Sequence, residues 1–497
     1  PPSASDYAEM YLWRQWAMAS LEDRVRWAAK AYREGDGGAK PLMTHVGCCS
    51  LVQDPVHDSS DDWLNSRCVE FYGSSLPWGG ASFNNPKASW HYFVIGMIMD
   101  WIRSLSPYYW IMEIYPSTRS WGGRDLPTED LRFWDWMCVA HGAKALCYWQ
   151  FKPERFGWES RSYGLVENDG RDNAKSKEAA AIGDVIRRYE ETFVEASPSP
   201  AEIALFYDPR SDILSKIECN TGGWGQVRSG TNYQYKNAVK GAYRIFWAGN
   251  LPVDWVTPHE PERIMNYKIV YLPATIIMDP KLSLVLRSYV EKGGTLIGEA
   301  NLGAREENTF ISLVTPGQGL DEVFGCREEE FIPVGKDYPN LFYQELKAQP
   351  AEYFAILKPT GGHVAAWWDT KWPAMVIKKY GKGRAILVGT YFSLSNLLRE
   401  DGGSANVVYS LVEKTGVQPP VHIEADGFTT CRLLRAKEKR LLFIFNYEEK
   451  SQRVTVKSPK LTNAKELTGR SKIAESRDLT LLIPPREVAI ILGEEET

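Results

Sequence analysis

At 497 residues the chain is too long for one ordinary domain, and three is the expected number. Its 44% hydrophobic and 24% charged residues exclude wholesale disorder. A net charge of -5 argues against a nucleic-acid or anionic-membrane surface, and the apolar run at 91–99 is cut at Asp100, too short to span a bilayer.

Residues Asp6–Arg33 have the Ala, Arg, Glu and Trp content of a helix that stops in Gly35-Asp36-Gly37-Gly38. PLMTHVG (Pro41–Gly47) reads as a buried strand and Cys68–Tyr72 as a second, leading into a Gly/Ser loop. Pro86–Leu105 is an amphipathic helix opened by Asn84-Asn85-Pro86. YYWIMEIY (Tyr108–Tyr115) is a third strand, Thr128–His141 a helix, and ALCYWQF (Ala145–Phe151) a fourth strand. A long helix over Asp172–Phe193 precedes a linker-like Ser197-Pro198-Ser199-Pro200. Continuous apolar strands alternating with helices mean a parallel sheet covered by helices.

Residues 201–416 repeat the alternation, with strands at Glu202–Tyr207, Pro252–Val256, Ile269–Leu272, Gly294–Gly298 and Gly383–Gly389 and helices at Asn237–Ala248, Pro280–Lys292 and Ser404–Thr415. This predicts an open α/β domain in which each strand feeds a helix. Beyond Pro419-Pro420, period-two segments such as RLLFIFNY and VAIILG predict a small antiparallel β domain over 420–497.

The eight cysteines are scattered without a CxxC pair, so neither a disulfide framework nor a structural zinc site is expected. A reducing, cytoplasmic compartment fits best, with no metal and no cofactor. Pro1–Asp6 lacks the basic and apolar regions of a signal peptide; without an initiator Met, the written start is not taken as that of the gene. Trp (19) is as common as Phe (18), and 13 of the 19 precede residue 160. Two explanations stand: a large core, or indole platforms for sugar rings.

A carboxylate within an apolar strand is costly unless paired or functional. Glu113 lies at the C-terminal end of the third strand, where (β/α) barrels carry catalytic residues. The alternative is an ion pair with Arg119, Arg124 or Lys152. Glu159, in the loop after the fourth strand, is a second candidate, against which stands a solvated loop charge. His141 at a helix end reads as a dipole partner. His45, His57 and His91 do not suggest a metal site by spacing.

Three segments carry a resemblance. MEIYPSTRSW resembles the nucleophile strand of glycoside hydrolase family 42, the β-galactosidase family; AHGAKALCYWQFK and FGWESRSYGLVENDG are similar to that family's next strand and loop. Residues 201–416 resemble its trimerisation domain, a flavodoxin-like fold related to class I glutamine amidotransferases, and 421–497 its C-terminal β domain. The resemblance implies a retaining β-glycosidase in which Glu113 is the nucleophile. It implies that Trp121 stacks on the sugar, that Trp149 forms another aromatic wall, and that Glu159 reads sugar hydroxyls. It also implies a homotrimer or higher assembly through 201–416, in which Trp367-Trp368, Trp224 or Trp247 would face a neighbouring subunit.

There are departures from that pattern. The family's acid/base Glu follows an Asn at the end of its fourth strand, and no such Asn-Glu precedes Glu113. The strands before and after Glu113 would then be the fifth to eighth of an eight-stranded barrel. Residues 1–197 are therefore expected to be its C-terminal half, with the acid/base and the family's zinc-binding cysteines on an N-terminal half supplied by a separate chain or a cleaved fragment. Ser162 stands where the family has His, Lys152 where it has Arg, and FYGSSLPW replaces an Asp-containing turn, which opens the choice of β-linked sugar. A non-catalytic carbohydrate-binding or scaffold subunit is the alternative. Amidotransferase chemistry is disfavoured, because Glu299 stands where a nucleophilic Cys would be needed and Cys219, Cys326 and Cys431 lie in no suitable turn.

Overall fold

A computed structural model of the protein describes residues 7–47, 49–55, 60–76, 92–116, 127–157, 159–160, 162–220, 234–399, 402–474, 476 and 478–496. Four strands form the first sheet in chain order, all parallel: β1 (Met43–Val46), β2 (Phe71–Ser75), β3 (Tyr109–Ile114) and β4 (Ala145–Tyr148). Parallel neighbours need crossovers, and the helices lie between them: α1 (Tyr7–Asp36) precedes β1, followed by α2 (Asp62–Ser66), α3 (Tyr92–Leu105) and α4 (Thr128–Ala140). The second strand starts later than its sequence suggests. Cys68 is still held by the end of α2, its N–H donating to the Asn65 carbonyl, so pairing begins at Phe71. The expected long helix is divided at Tyr189 into α5 (Ala174–Arg188) and α6 (Glu190–Glu195), because Tyr189 leaves helical geometry at φ -122 and ψ 30. The helix-start signal at Asn84-Asn85-Pro86 lies outside the described residues.

Helix α3 buries 12 of its 14 residues. A helix apolar on all sides belongs inside, and α3 is wedged between the first sheet and strand β7 (Val253–Val256) of the second. Its one acid, Asp100, accepts hydrogen bonds from Arg103 (3.0 Å), His141 Nδ1 (2.8 Å) and, across the wedge, the Tyr243 hydroxyl (2.8 Å). Arg103 continues to Asp254 at 2.6 Å and to the Val253 carbonyl. Burial opposes the charge on Asp100, but His141 and Arg103 outweigh it and hold its carboxyl well below the usual range. Burial lowers His141 against the opposing pull of Asp100, and because the Asp100 carboxylate can only accept, Nδ1–H is the donor. Nε2 is buried without a hydrogen-bond partner among the described residues. His141 is thus anchored to a buried carboxylate, beyond any interaction with its helix end.

Helix α4 carries Asp135, fully buried and hydrogen-bonded by the Tyr148 hydroxyl at 2.8 Å. Burial pushes its carboxyl up to about 8, against the Tyr148 bond. The folded protein therefore keeps a proton that the unfolded chain releases near its ordinary value of 3.8. Between those values stability falls as pH rises, by at most about 1.4 kcal/mol per pH unit. Asp135→Asn keeps the shape and the acceptor, so it is expected to flatten that slope. Denaturant midpoints measured from pH 6 to pH 8.5 check this; parallel curves for the two proteins would refute it.

The second sheet has nine strands in the order β12-β11-β14-β15-β16-β9-β8-β6-β7. Its parallel half is β6 (Ile203–Phe206), β7, β8 (Ile269–Leu272), β9 (Thr295–Gly298) and β16 (Gly383–Val388). The expectation that each strand feeds a helix fails from Cys326 to Tyr380, where β10 (Cys326–Pro333), β11 (Leu341–Tyr343), β12 (Leu346–Ala348), β13 (Tyr353–Pro359), β14 (His363–Trp368) and β15 (Pro373–Tyr380) pair antiparallel. Charged runs such as CREEEFIP, half-exposed along their length, hide this ladder from a hydrophobic pattern. The third region forms two antiparallel sheets, β17-β20-β23-β22 and β21-β24-β19-β18-β5, from β17 (His422–Ala425), β18 (Thr429–Ala436), β19 (Lys439–Asn446), β20 (Gln452–Ser458), β21 (Leu461–Glu466), β22 (Lys472–Ala474), β23 (Thr480–Ile483) and β24 (Glu487–Glu495). The linker expected at 197–200 is corrected: Ser197–Pro198 is strand β5, paired with Arg435 and Leu434 at the edge of the last sheet.

Candidate active site

Parallel strands all point their C-terminal ends the same way, so the side chains there converge. Ser75 ends β2 and is paired with Glu113 on β3; His45 on β1 is paired with Gly73; Trp149 directly follows β4, its N–H donating to the Ile114 carbonyl at 2.9 Å. Gly73 permits the close approach, because a Cβ there would stand 3.1 Å from Met112 Cγ and 3.2 Å from His45 Cβ.

Glu113 keeps 23% of its side chain exposed. The Ser75 hydroxyl donates to its Oε2 at 2.7 Å and the Tyr115 hydroxyl to the same oxygen at 2.6 Å. Oε1 has no hydrogen-bond donor among the described residues, and His45 Nε2 stands 3.7 Å from it. Among the described residues, one oxygen is thus held by two hydroxyls and the other by none. Of the expected ion-pair partners, Lys152 makes no salt bridge to Glu113 among the described residues, and Arg119 and Arg124 lie outside them. The Tyr115 ring leans on Tyr163 at 5.1 Å, which ties the end of β3 to the loop after β4.

Trp149 is 39% exposed and its indole N–H donates to Glu159 Oε2 at 3.4 Å, so these two expected site residues do come together. Backbone bonds from Leu165 to Gln150 and from Val166 to Phe151 fold their loop back on the strand end. Ser162 is fully buried, its N–H donating to the Glu159 carbonyl at 3.1 Å. Trp121 lies outside the described residues. Tyr115→Phe is expected to lower kcat about tenfold or more with KM little changed, since a hydrogen bond to a charged group contributes about 1.5–3 kcal/mol. Steady-state kinetics on the complete enzyme would check it, and an unchanged kcat would sink it.

The profile described as the β-galactosidase trimerisation domain matches residues 201–417, and that described as β-galactosidase matches 75–189, which contains Glu113. The chain belongs to glycoside hydrolase family 42. It is similar to the β-galactosidase BgaB of Geobacillus sp. (strain Y412MC61), 26% identical over 310 residues that cover 59% of this chain and 44% of BgaB. The β-galactosidase GalA of Bacillus licheniformis is 24% identical over 379 residues, covering 73% of this chain and 53% of GalA. The chain therefore spans about half the length of the curated relatives it matches. The solved structure of Gan42B, a GH42 β-galactosidase from G. stearothermophilus, shares its fold with a TM-score of 0.83 at 20% identity, over 99% of this chain and 69% of that one.

In this family 42 chain the amidotransferase-like position is filled structurally. Glu299 is buried and accepts from the Tyr271 hydroxyl, the Ala274 N–H and both the N–H and hydroxyl of Ser393. Trp368 is core, its indole N–H donating to the Ala355 carbonyl, and only its neighbour Trp367 is exposed. Trp247 is likewise buried, among Phe93, Phe428 and Tyr447, so it faces no neighbouring subunit. Trp224, His57 and His91 lie outside the described residues. No cluster of His, Cys, Asp or Glu among the described residues is arranged to hold a metal ion, and no described helix is long and apolar enough to cross a membrane. His45 and Tyr115 were not singled out for the site in the sequence, and FYGSSLPW, which carries Ser75, was read only as bearing on the choice of sugar; the other available signal was a hydroxyl two residues after Glu113.

Proposed function

We propose that the chain carries the nucleophile of a retaining β-glycosidase acting on terminal β-linked sugars. The observation that carries this reading is Glu113 at a parallel-strand end, with Oε2 held by Ser75 and Tyr115 and, among the described residues, no hydrogen bond to Oε1. Oε1 would attack the anomeric carbon as the glycosidic bond breaks, giving a glycosyl-enzyme ester, and water would then release the sugar and restore the carboxylate. The leaving oxygen needs a proton from a second carboxylate about 5–5.5 Å from the first.

That acid/base would come from an N-terminal half-barrel outside residues 1–497, with 1–197 supplying the fifth to eighth strands. Two observations favour this. The edge strands β1 and β4 are only half-buried, unlike the parallel strands of a closed sheet. An apolar hollow of about 330 Å3 lies along β4 and α5, lined by Leu146, Ile182, Ile186 and Phe193. Trp149 and Glu159 would wall the sugar and read a hydroxyl, with Trp121 stacking on the ring. Residues 201–416 would form the flavodoxin-like trimerisation domain and 420–497 the C-terminal β domain of a cytoplasmic enzyme. The names of BgaB and GalA point to β-galactosides, while Ser75 and Lys152 at the strand ends leave room for another β-glycoside. Turnover of aryl β-galactosides and aryl β-glucosides by the complete enzyme and its Glu113→Gln variant tests the reading; undiminished turnover in the variant would overturn it.

A further inference from the structure

At the N-terminal ends of β8 and β9, the second sheet carries a cavity of about 700 Å3. Lys268, Lys292, Lys379, Lys382 and Arg384 converge on it, and no Asp or Glu among the described residues lines it. Lys268 is paired with Glu202. The other four cations have no carboxylate within ion-pair distance among the described residues. This concentration of positive charge stands on a chain whose net charge is -5.

Strand register gives the cluster its meaning. Lys379 of β15 stands directly opposite Arg384 of β16, which in turn is paired with Thr295 of β9, so their side chains share one face. Like charges directly opposite one another destabilise a sheet unless something neutralises them. Two other cross-strand cation pairs in this protein are neutralised. Arg327, opposite Lys358, bonds Asp321 at 2.9 Å while Lys358 bonds Glu329 at 3.1 Å. Arg435, opposite Arg440, shares Glu495 with it. Among the described residues, the pair facing the cavity is the one left without an anion.

The floor is bare backbone, since a Cβ at Gly294 would stand 2.2 Å from the Tyr289 ring and one at Gly383 2.2 Å from the Gly294 carbonyl. The Lys382 and Arg384 amides are already bonded to carbonyls, so recognition falls to the charged side chains. The Tyr267 and Tyr289 rings add aromatic wall, and the volume exceeds what a bare inorganic ion fills and matches a small-molecule site.

We propose that this cavity binds a sugar-sized ester of a tetrahedral oxyanion, a phosphorylated or sulfated sugar, at a site separate from Glu113. The test is calorimetric titration of the complete protein, at low ionic strength, with galactose 6-phosphate, galactose 6-sulfate, inorganic phosphate and neutral galactose. At least one ester is expected to bind in a salt-sensitive manner, more tightly than inorganic phosphate. The double substitution Lys379→Gln with Arg384→Gln should weaken it tenfold or more, leaving glycosidase turnover unchanged and the ligand-free melting temperature equal or higher. Tighter phosphate-ester binding identifies a phosphorylated ligand, and tighter sulfate-ester binding a sulfated one. If that pair perturbs the sheet, Lys292→Gln with Lys382→Gln removes charge outside the strands and should weaken binding in the same way. No ester binding at millimolar concentration, or binding that survives both double variants, overturns the proposal whether or not Glu113 proves to be the nucleophile.

Discussion

Glu113→Gln is expected to lower kcat of the complete enzyme by at least about four orders of magnitude, the scale seen when a covalent nucleophile is lost. The amide is nearly isosteric and its oxygen can still accept from Ser75 and Tyr115, so the strand end keeps its arrangement. What disappears is the negative charge and the electron pair that forms the ester bond. Thermal melting of the variant should therefore match the parent while turnover of an aryl β-glycoside collapses. A variant retaining a tenth of the parental kcat would remove Glu113 from the nucleophile role and favour a binding function for the cleft.

Asp100→Ala is expected to produce a large stability loss, about 3–5 kcal/mol. Removing this carboxylate strands Arg103 and His141 in a site where Asp100 is 5% exposed and His141 2% exposed. Arg103 keeps Asp254 and the Val253 carbonyl, which places the expected loss toward the lower end of that range. The Tyr243 hydroxyl loses its acceptor as well. Urea denaturation of parent and variant measures the difference at the midpoint. A shift corresponding to less than about 1 kcal/mol, the contribution of an exposed pair, would show that the cluster is better solvated than its burial indicates.

Much of the first sheet was legible because its strands, like most parallel strands, are continuous apolar runs rather than alternating ones. YYWIMEIY exposed Glu113 for the same reason: a charge in such a run has to be explained. Its partners were not legible. Ser75 lies 38 residues from Glu113, and only the strand register, which no local pattern encodes, sets them side by side. The β10–β15 region escaped because its strands alternate weakly and carry charge on exposed faces. Ser197–Pro198 read as a linker because proline cannot donate to a ladder, yet an edge strand tolerates that. The tryptophan excess divided three ways. Trp63, Trp101 and Trp136 are core, Trp149 is beside Glu159, and Trp13, Trp16 and Trp27 stand exposed on α1. Neither the core nor the sugar-platform explanation covers the last group.

Buried charge also joins the three regions that the sequence divides. Arg132 on α4 bonds Glu178 on α5 at 2.8 Å and Glu487 on β24 at 2.6 Å, and Arg470 returns from the last region to Glu178 at 2.8 Å. Asp100 and Arg103 do the same between α3 and the second region, through Tyr243 on the helix Gln234–Ala248 and Asp254 on β7. Cutting the chain at either boundary would strand a half-paired ion in what had been interior, a cost that no exposed linker imposes. Each of the three architectural regions is therefore expected to lose stability when it is separated from the others.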